Sequence, residues 1–414
     1  MIRAGALVPA VLLALAAPVA PAAAQTPGCP AVRVPGAEYA VTSCLDDLTT
    51  AGTVPGGHTD PADWAGLLAP GTVTPSGVPG VQVDGYFPDT STSTTNTNHG
   101  WRHDAQFVLR LPRDWNGGLV VAGPPGTREQ YANDPLIADQ VLAKGYAFAA
   151  TDKGGTGSAP AADGARPGDT IAEWHERFTQ LTRAAKAALT GHYGQAPART
   201  YAAGLSAGGY LVRWQLENRP ELYTGGVDWN ALVFTPDTSL LTTLPPAVRA
   251  YPAYARGDAA AHAALLAAGY PAGSEPAWAF SFQNLWTPLL HQVRTELDPA
   301  YTGEDSAYDL STRPPAVRRA VARISLTGRL ARPLISVQGG LDALTPPSRH
   351  AAAYDRLVDA AGRSRLHRTT IVPGGAHTDG LVPLSPDFRP VLPAFTAAFA
   401  ELETRTQCAA LNAS

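Results

Sequence analysis

Apolar and polar positions change their period along the chain, and the changes divide it. From 25 to 77 no period holds and turn residues dominate, which predicts an N-terminal extension. A strand is expected over 78–87, and AQFVLRL at 105–111 alternates with period two, as strands do. GLVVA at 118–122 is apolar throughout, the pattern of a strand covered on both faces. A helix over 128–144, a strand YAFAAT at 146–151 and a long helix over 169–192 capped by Thr170 follow. A strand over 199–203 then runs into a helix over 207–218. Strands alternating with helices of this length predict right-handed crossovers and a mostly parallel sheet flanked by helices, an α/β fold.

The alternation lapses after a strand at 227–234. Residues 235–330 are rich in Ala, Pro and Trp and show helix and loop character without a clear strand. A strand at 333–338, a helix over 348–361, a strand at 367–372 and a terminal helix over 387–403 resume the pattern. One sheet domain, 78–234 with 331–414, is therefore expected to be interrupted by a mainly helical cap at 235–330. Residues 1–24 carry Arg3, a short apolar stretch broken by Pro9 and Pro18, and the small run Ala22-Ala23-Ala24. That is the pattern of a cleavable secretory signal, too short and broken to span a bilayer. The mature chain is expected to be secreted, with no membrane partner.

Composition narrows the function. Hydrophobic residues make up 45% of the 414, enough for a sizeable core, so the 40 Gly and 38 Pro do not signal disorder. Charged residues are only 16%, the net charge is -4, and no basic stripe runs along the chain, which excludes nucleic acid as the main partner. Export would place Cys29, Cys44 and Cys408 where disulfides form. An odd number leaves one over. Cys29 with Cys44 is the expected bridge, stapling the extension at a gain of about 3 kcal/mol, with Cys408 the alternative partner of either.

Gly204-Leu205-Ser206-Ala207-Gly208 matches G-x-S-x-G, with an apolar strand before it and a helical pattern after. A sharp strand-to-helix turn of this kind lifts a serine Oγ clear of the backbone. A serine hydroxyl needs a base to take its proton and an acid to orient that base. Asp342 in ISVQGGLDALTPP lies a few residues past an apolar strand and His377 in IVPGGAHTDG just after a strand, in the chain order Ser, Asp, His. Asp237 is the second-choice acid, while His350 and His367 are expected to be structural and His291 could reach the pocket from the cap. The oxyanion of an acyl transfer needs preorganised N–H donors. Ala207 would supply one, and Gly126 or Thr127 the other, since Pro124 and Pro125 have no N–H. Trp278, Phe280, Phe282 and Trp286 of the cap are expected to line an apolar substrate pocket.

No metal or cofactor is expected. The histidines are scattered without H-E-x-x-H or H-x-x-E-H, and the Gly-rich DKGGTG at 152–157 lacks the ending of a phosphate loop.

With these residues in place, the sequence resembles the α/β-hydrolase superfamily. Within it, the chain is similar to secreted tannase and feruloyl esterase-like enzymes and to 3-hydroxybutyrate oligomer hydrolases. LVVAGPPG, LAKGYAFAATDKGGTG, AAGLSAGGY, RPELYTGGV, VQGGLDALTPP and VPGGAHTDG carry the likeness. It implies Ser206 as nucleophile, His377 as base and Asp342 as orienting acid, acting on a small-molecule or oligomeric ester. Tannase and feruloyl esterases usually join a Cys before the Ser to a Cys after the His; this chain has Leu205 and Thr378 there. Two rivals remain: a peptidase of the same fold, recognising an amine through Glu296, Asp298, Glu304 and Asp305, and a non-catalytic binding protein.

Overall fold

A computed structural model describes residues 28–89, 95–155 and 166–411, with side chains to 408. The signal expected over 1–24 lies outside the described residues. Nine strands form one sheet in the order β1-β2-β3-β5-β4-β6-β7-β8-β9. They are β1 Tyr39–Leu45, β2 Gly80–Tyr86, β3 Gln106–Pro112, β4 Gly118–Gly123, β5 Ala147–Thr151, β6 Arg199–Leu205, β7 Gly225–Trp229, β8 Leu334–Gly339 and β9 His367–Val372. β1, β2, β3 and β5 pair antiparallel, and from β5 through β4 to β9 all pairs are parallel.

Alternate residues of the central strands feed two cores. Leu119, Val121, Ala147, Ala149 and Ala202 face the cluster containing helices α1 (Asp169–Tyr193) and α2 (Ala207–Asn218). Val120, Ala122, Phe148, Ala150 and Ala203 face Val391, Phe395 and Phe399 of the C-terminal helical region. Burial on both faces is why GLVVA has no polar alternation.

The structure departs from the sequence reading at several points, among them the strand expected over 227–234, which is Gly225–Trp229, and the terminal helix expected over 387–403, which is Leu392–Leu411. Tyr39–Leu45 adds an edge strand within the aperiodic stretch 25–77, paired with β2 and joined to the preceding loop by the Cys29–Cys44 disulfide. Cys408 is free and exposed. The helix expected over 128–144 shrinks to a π-turn at Asp134–Ala138 running into Asp139–Leu142. The long helix is capped by Gly168 in the left-handed conformation, with Thr170 inside its first turn.

From 235 to 330 the described chain is helix and loop. It includes α3 (Leu240–Tyr254), α4 (Ala259–Ala267), α5 (Thr287–Leu297) and α6 (Pro315–Arg323), before α7 (Ala351–Ala360) and α8 (Leu392–Leu411).

A buried ion pair anchors the first half of the sheet. Arg110 of β3 reaches Asp134 at 2.6 Å, both side chains without exposure, and Thr59 donates to the same carboxylate oxygen at 2.7 Å. Removing one partner strands the other charge in the core. Asp134→Ala should therefore lower unfolding free energy by about 3–5 kcal/mol in urea titration. A loss under 1 kcal/mol would show that water reaches Arg110.

Candidate active site

Chain order reverses direction across the sheet at β4. β5 lies on one side of it and β6 on the other, so the loops after β4 and β6 open a crevice at the strands' C-terminal ends. Ser206 stands there between β6 and α2, with φ 58° and ψ −116°. The two flanking glycines are sterically required. A Cβ on Gly204 would lie 2.4 Å from the Gly208 backbone, and one on Gly208 would lie 2.0 Å from the Gly123 carbonyl oxygen. The tight turn thus fits only glycine where strand, helix and the β4 loop cross.

The loops after β8 and β9 complete the arrangement. His377 Nε2 is 3.1 Å from Ser206 Oγ, and His377 Nδ1 is 2.9 Å from Asp342 Oδ2. All three side chains are almost wholly buried. Asp342 also accepts from the backbone N–H groups of Leu344 (2.7 Å) and Thr345 (2.9 Å), from Thr345 Oγ1 and from Gln338 Nε2 (3.2 Å). Burial alone would raise this carboxyl. The facing His377 and the converging donors outweigh it and hold Asp342 below the ordinary aspartate value. Asn230, directly after β7 with φ 46°, ties the two loops together. Its Nδ2 donates to the carbonyls of Ala376 and His377, both at 2.8 Å, and its Oδ1 accepts from Gly339 N at 2.6 Å.

A cleft of about 430 Å³ opens over Ser206 and His377. Pro125, Gly126 and Thr127 line it from the β4 loop, and Gly66 and Leu67 from the N-terminal segment. Phe280, Leu285 and Leu289 form an apolar wall from the helical stretch between β7 and β8, with Asn284 and Gln292 beside them. Arg128 is the cation among the lining residues. It is held by donation to the carbonyls of Asp63 (2.7 Å) and Ala65 (2.8 Å).

Residues 90–227 match the family described as tannase and feruloyl esterase. The match includes Ser206 and stops short of Asp342 and His377. A mono(2-hydroxyethyl) terephthalate hydrolase from Piscinibacter sakaiensis is 28% identical over 139 residues, which span 30% of this chain and 23% of that relative. The structure of feruloyl esterase B from Aspergillus oryzae superposes with a TM-score of 0.56 at 12% identity, covering 84% of this chain and 81% of that one. An esterase from Aspergillus oryzae gives 0.52 at 12% identity with the same coverage. The chain has the α/β-hydrolase fold.

Three of the four aromatic residues expected in the pocket do not line it. Trp278 and Trp286 have no exposure. The Trp286 indole N–H donates to the Ala343 carbonyl at 2.7 Å, with its ring against Tyr251 and Tyr270. Trp278 donates to Ser274 Oγ at 2.7 Å. Each indole has its single donor satisfied inside the core, so these rings anchor the helices between β7 and β8, Trp286 to the loop carrying Asp342. Phe280, 41% exposed, does reach the cleft, while Phe282 stacks on Tyr251.

The other candidates separate cleanly. Asp237 is exposed. His291 pairs with Asp305 on the surface, away from the cleft lining. His350 accepts from Val233 N at 3.1 Å and His367 lies 2.9 Å from Ser336 Oγ; burial pushes both imidazoles down to about 3, so they stay neutral structural groups.

Three of the four acids named for amine recognition are already engaged, and the fourth, Glu304, is exposed and does not line the cleft. Arg313 donates to Asp298, Arg294 donates to Asp305, and Glu296 accepts from Thr170 N. Leu205 is buried in the sheet and Thr378 donates to the Gly66 carbonyl. Among the described residues no group of three or more His, Cys, Asp or Glu is placed to hold a metal, and no helix is long and apolar enough to cross a membrane.

Sequence reasoning missed Asn230, Gln338 and Thr345. The available signal was position: each sits at or just beyond the C-terminal end of a parallel strand, the edge where such sheets bind ligands.

Proposed function

We propose that the chain is a serine esterase that works through an acyl-enzyme on Ser206. The observation carrying this is the continuous Ser206–His377–Asp342 chain of contacts at the floor of an open cleft. Ser206 Oγ attacks the ester carbonyl carbon as His377 Nε2 takes its proton, and Asp342 steadies the imidazolium. The tetrahedral oxyanion takes the N–H groups of Ala207 and Gly126. Ala207 is the first residue of α2, so its N–H has no intrahelical acceptor. Gly126 lines the cleft, and among the described residues its N–H has no acceptor. His377 then protonates the departing alcohol. Water attacks the acyl-enzyme by the reverse path, releasing the acid and restoring Ser206.

The tannase and feruloyl esterase match and the terephthalate-ester relative favour an aromatic acyl group. So do the apolar wall and the cleft's size, which suit one ring. In this reading 235–330 is a cap that roofs the sheet domain (78–234 with 331–414), and Phe280 is its contact with the acyl ring. Feruloyl, galloyl, hydroxybutyryl and simple fatty esters should be compared by kcat/KM. Aromatic acyl esters are expected to lead by about tenfold, one well-placed ring contact; a fatty ester leading the panel would overturn the aromatic assignment. Phe280→Ala should raise KM for the best aromatic ester by about 5–10-fold with kcat little changed, the loss of one aromatic pair. Cleavage after residue 24 and export are part of the same reading, checked by N-terminal sequencing of the protein from culture medium.

A further inference from the structure

The chain has only three lysines, Lys144, Lys153 and Lys186, and one of them is buried beside the site without any exposure. Lys153 follows β5, the strand next to β4, in a turn that the backbone enforces. Asp152 accepts from Gly154 N (2.9 Å) with one oxygen, and from Asn96 Nδ2 (2.8 Å) and Gln106 N (3.0 Å) with the other. Lys153 itself has φ 69° and Gly154 φ 90°. This turn sends the lysine back beneath the β4 loop. Its Nζ donates to the carbonyl of Gly126 at 2.8 Å and to that of Pro124 at 3.3 Å, and lies 5.0 Å from the centre of the Trp174 ring.

The loop depends on an outside donor. Pro124 and Pro125 have no N–H, and the backbone bond from Arg128 N to the Pro125 carbonyl (3.2 Å) is a single turn closure. A bare ammonium in the interior is costly, and among the described residues Lys153 forms no ion pair. Desolvation pushes it down to about 7, against the pull of Asp152 beside it and Glu129 at the end of the loop. An apolar side chain there would be cheaper for folding, so the ammonium is retained at a cost.

We propose that Lys153 is a positioning residue whose ammonium clamps the Pro124–Gly126 carbonyls and so aims the Gly126 N–H at the oxyanion. This rests on the serine esterase reading and assigns a further residue to it. A peptide unit is planar, so fixing the Pro124 and Gly126 carbonyls holds the two planes that flank the Pro125–Gly126 amide, and the Arg128 N–H bonded to the Pro125 carbonyl holds that amide itself, leaving the Gly126 N–H one direction to point.

The test compares wild type, Lys153→Met, which keeps an unbranched stem near Trp174 without charge, and Lys153→Arg. Wild-type hydrolysis and fluorophosphonate labelling are measured first; if both are absent the esterase reading itself fails, separately from the clamp. With an active wild type, Lys153→Met should lose about 10–100-fold in kcat, somewhat less than deleting an oxyanion donor outright, with KM within about threefold. Its melting temperature should not fall, because the buried charge is gone.

The charged groups facing Nζ are Asp152 and Glu129, with the Trp174 ring on the α1 side. The protonated clamp is the active form, so wild-type kcat should carry a decline as pH rises through about 7. That decline should be missing in Lys153→Arg, which stays charged. A folded Lys153→Met with wild-type kcat, or with its loss confined to KM, overturns the proposal. If that variant does not fold, the same alkaline decline in Lys153→Arg as in wild type overturns it.

Discussion

Ser206→Ala should remove ester hydrolysis while the protein keeps its fold. On the proposed mechanism the substitution deletes the only atom that bonds to the substrate. What remains is water attack assisted by the oxyanion donors and binding, so kcat should fall on the order of 10⁶. The structural cost should be small. Ser206 is already a non-glycine residue at φ 58°, and alanine inherits that strain without adding to it. The lost contact, Oγ to His377 Nε2 at 3.1 Å, releases an imidazole that faces the cleft. Initial rates on a chromogenic ester, fluorophosphonate labelling and a thermal melt decide the matter together. Equal hydrolysis by wild type and variant would sink the proposed role of Ser206, and a collapsed melt would show that the elbow needs its hydroxyl to fold.

How much of this could be read from sequence depends on whether the cause is local. The elbow is local. Gly204 and Gly208 are demanded by contacts within five residues and with the adjacent strand, so the motif and the bounds of α2 appear directly in the residue pattern. β9, at His367–Val372, likewise has the bounds expected from its β-branched stretch HRTTIV. β1 has no such signal. Tyr39–Leu45 is extended because β2 offers it a partner forty residues later, and its flanks are turns.

The missed site residues share that non-local cause. Asn230 acts on carbonyls 146 and 147 residues away, and nothing near it in sequence marks the bond. Lys153 reaches back 27 and 29 residues to the β4 loop from a turn that looks like an ordinary Gly-rich connection. Trp278 and Trp286 show the converse error. Aromatic residues in an Ala-rich segment mark an apolar face, but whether that face meets the core or the cleft is set by which donor finds an acceptor. The Trp286 N–H finds Ala343 inside.

Asp342→Asn is expected to cost about 10⁴ in kcat with little change in KM, through the tautomer of His377. Asp342 Oδ1 accepts two backbone N–H groups, from Leu344 and Thr345, which cannot turn away. An asparagine must place its oxygen there, which puts its NH₂ at the Oδ2 position opposite His377 Nδ1. Two donors would then face each other unless the imidazole moves its proton to Nε2. That nitrogen points at Ser206 Oγ, and once protonated it cannot take the serine's proton.

The stability effect has a definite sign. Asp342 is held below its unfolded value by His377 and its donors. Its charged form therefore contributes stability above the ordinary aspartate range, and the contribution is lost as pH falls through the folded value. The stability gap between wild type and Asp342→Asn should be widest near neutral pH and close in acid. Rates, fluorophosphonate labelling and urea melts across pH read the two effects independently. Retention of more than a tenth of wild-type kcat would mean that His377 is oriented without this carboxylate. Asp237, the other acid weighed for the role, is exposed and could not take its place.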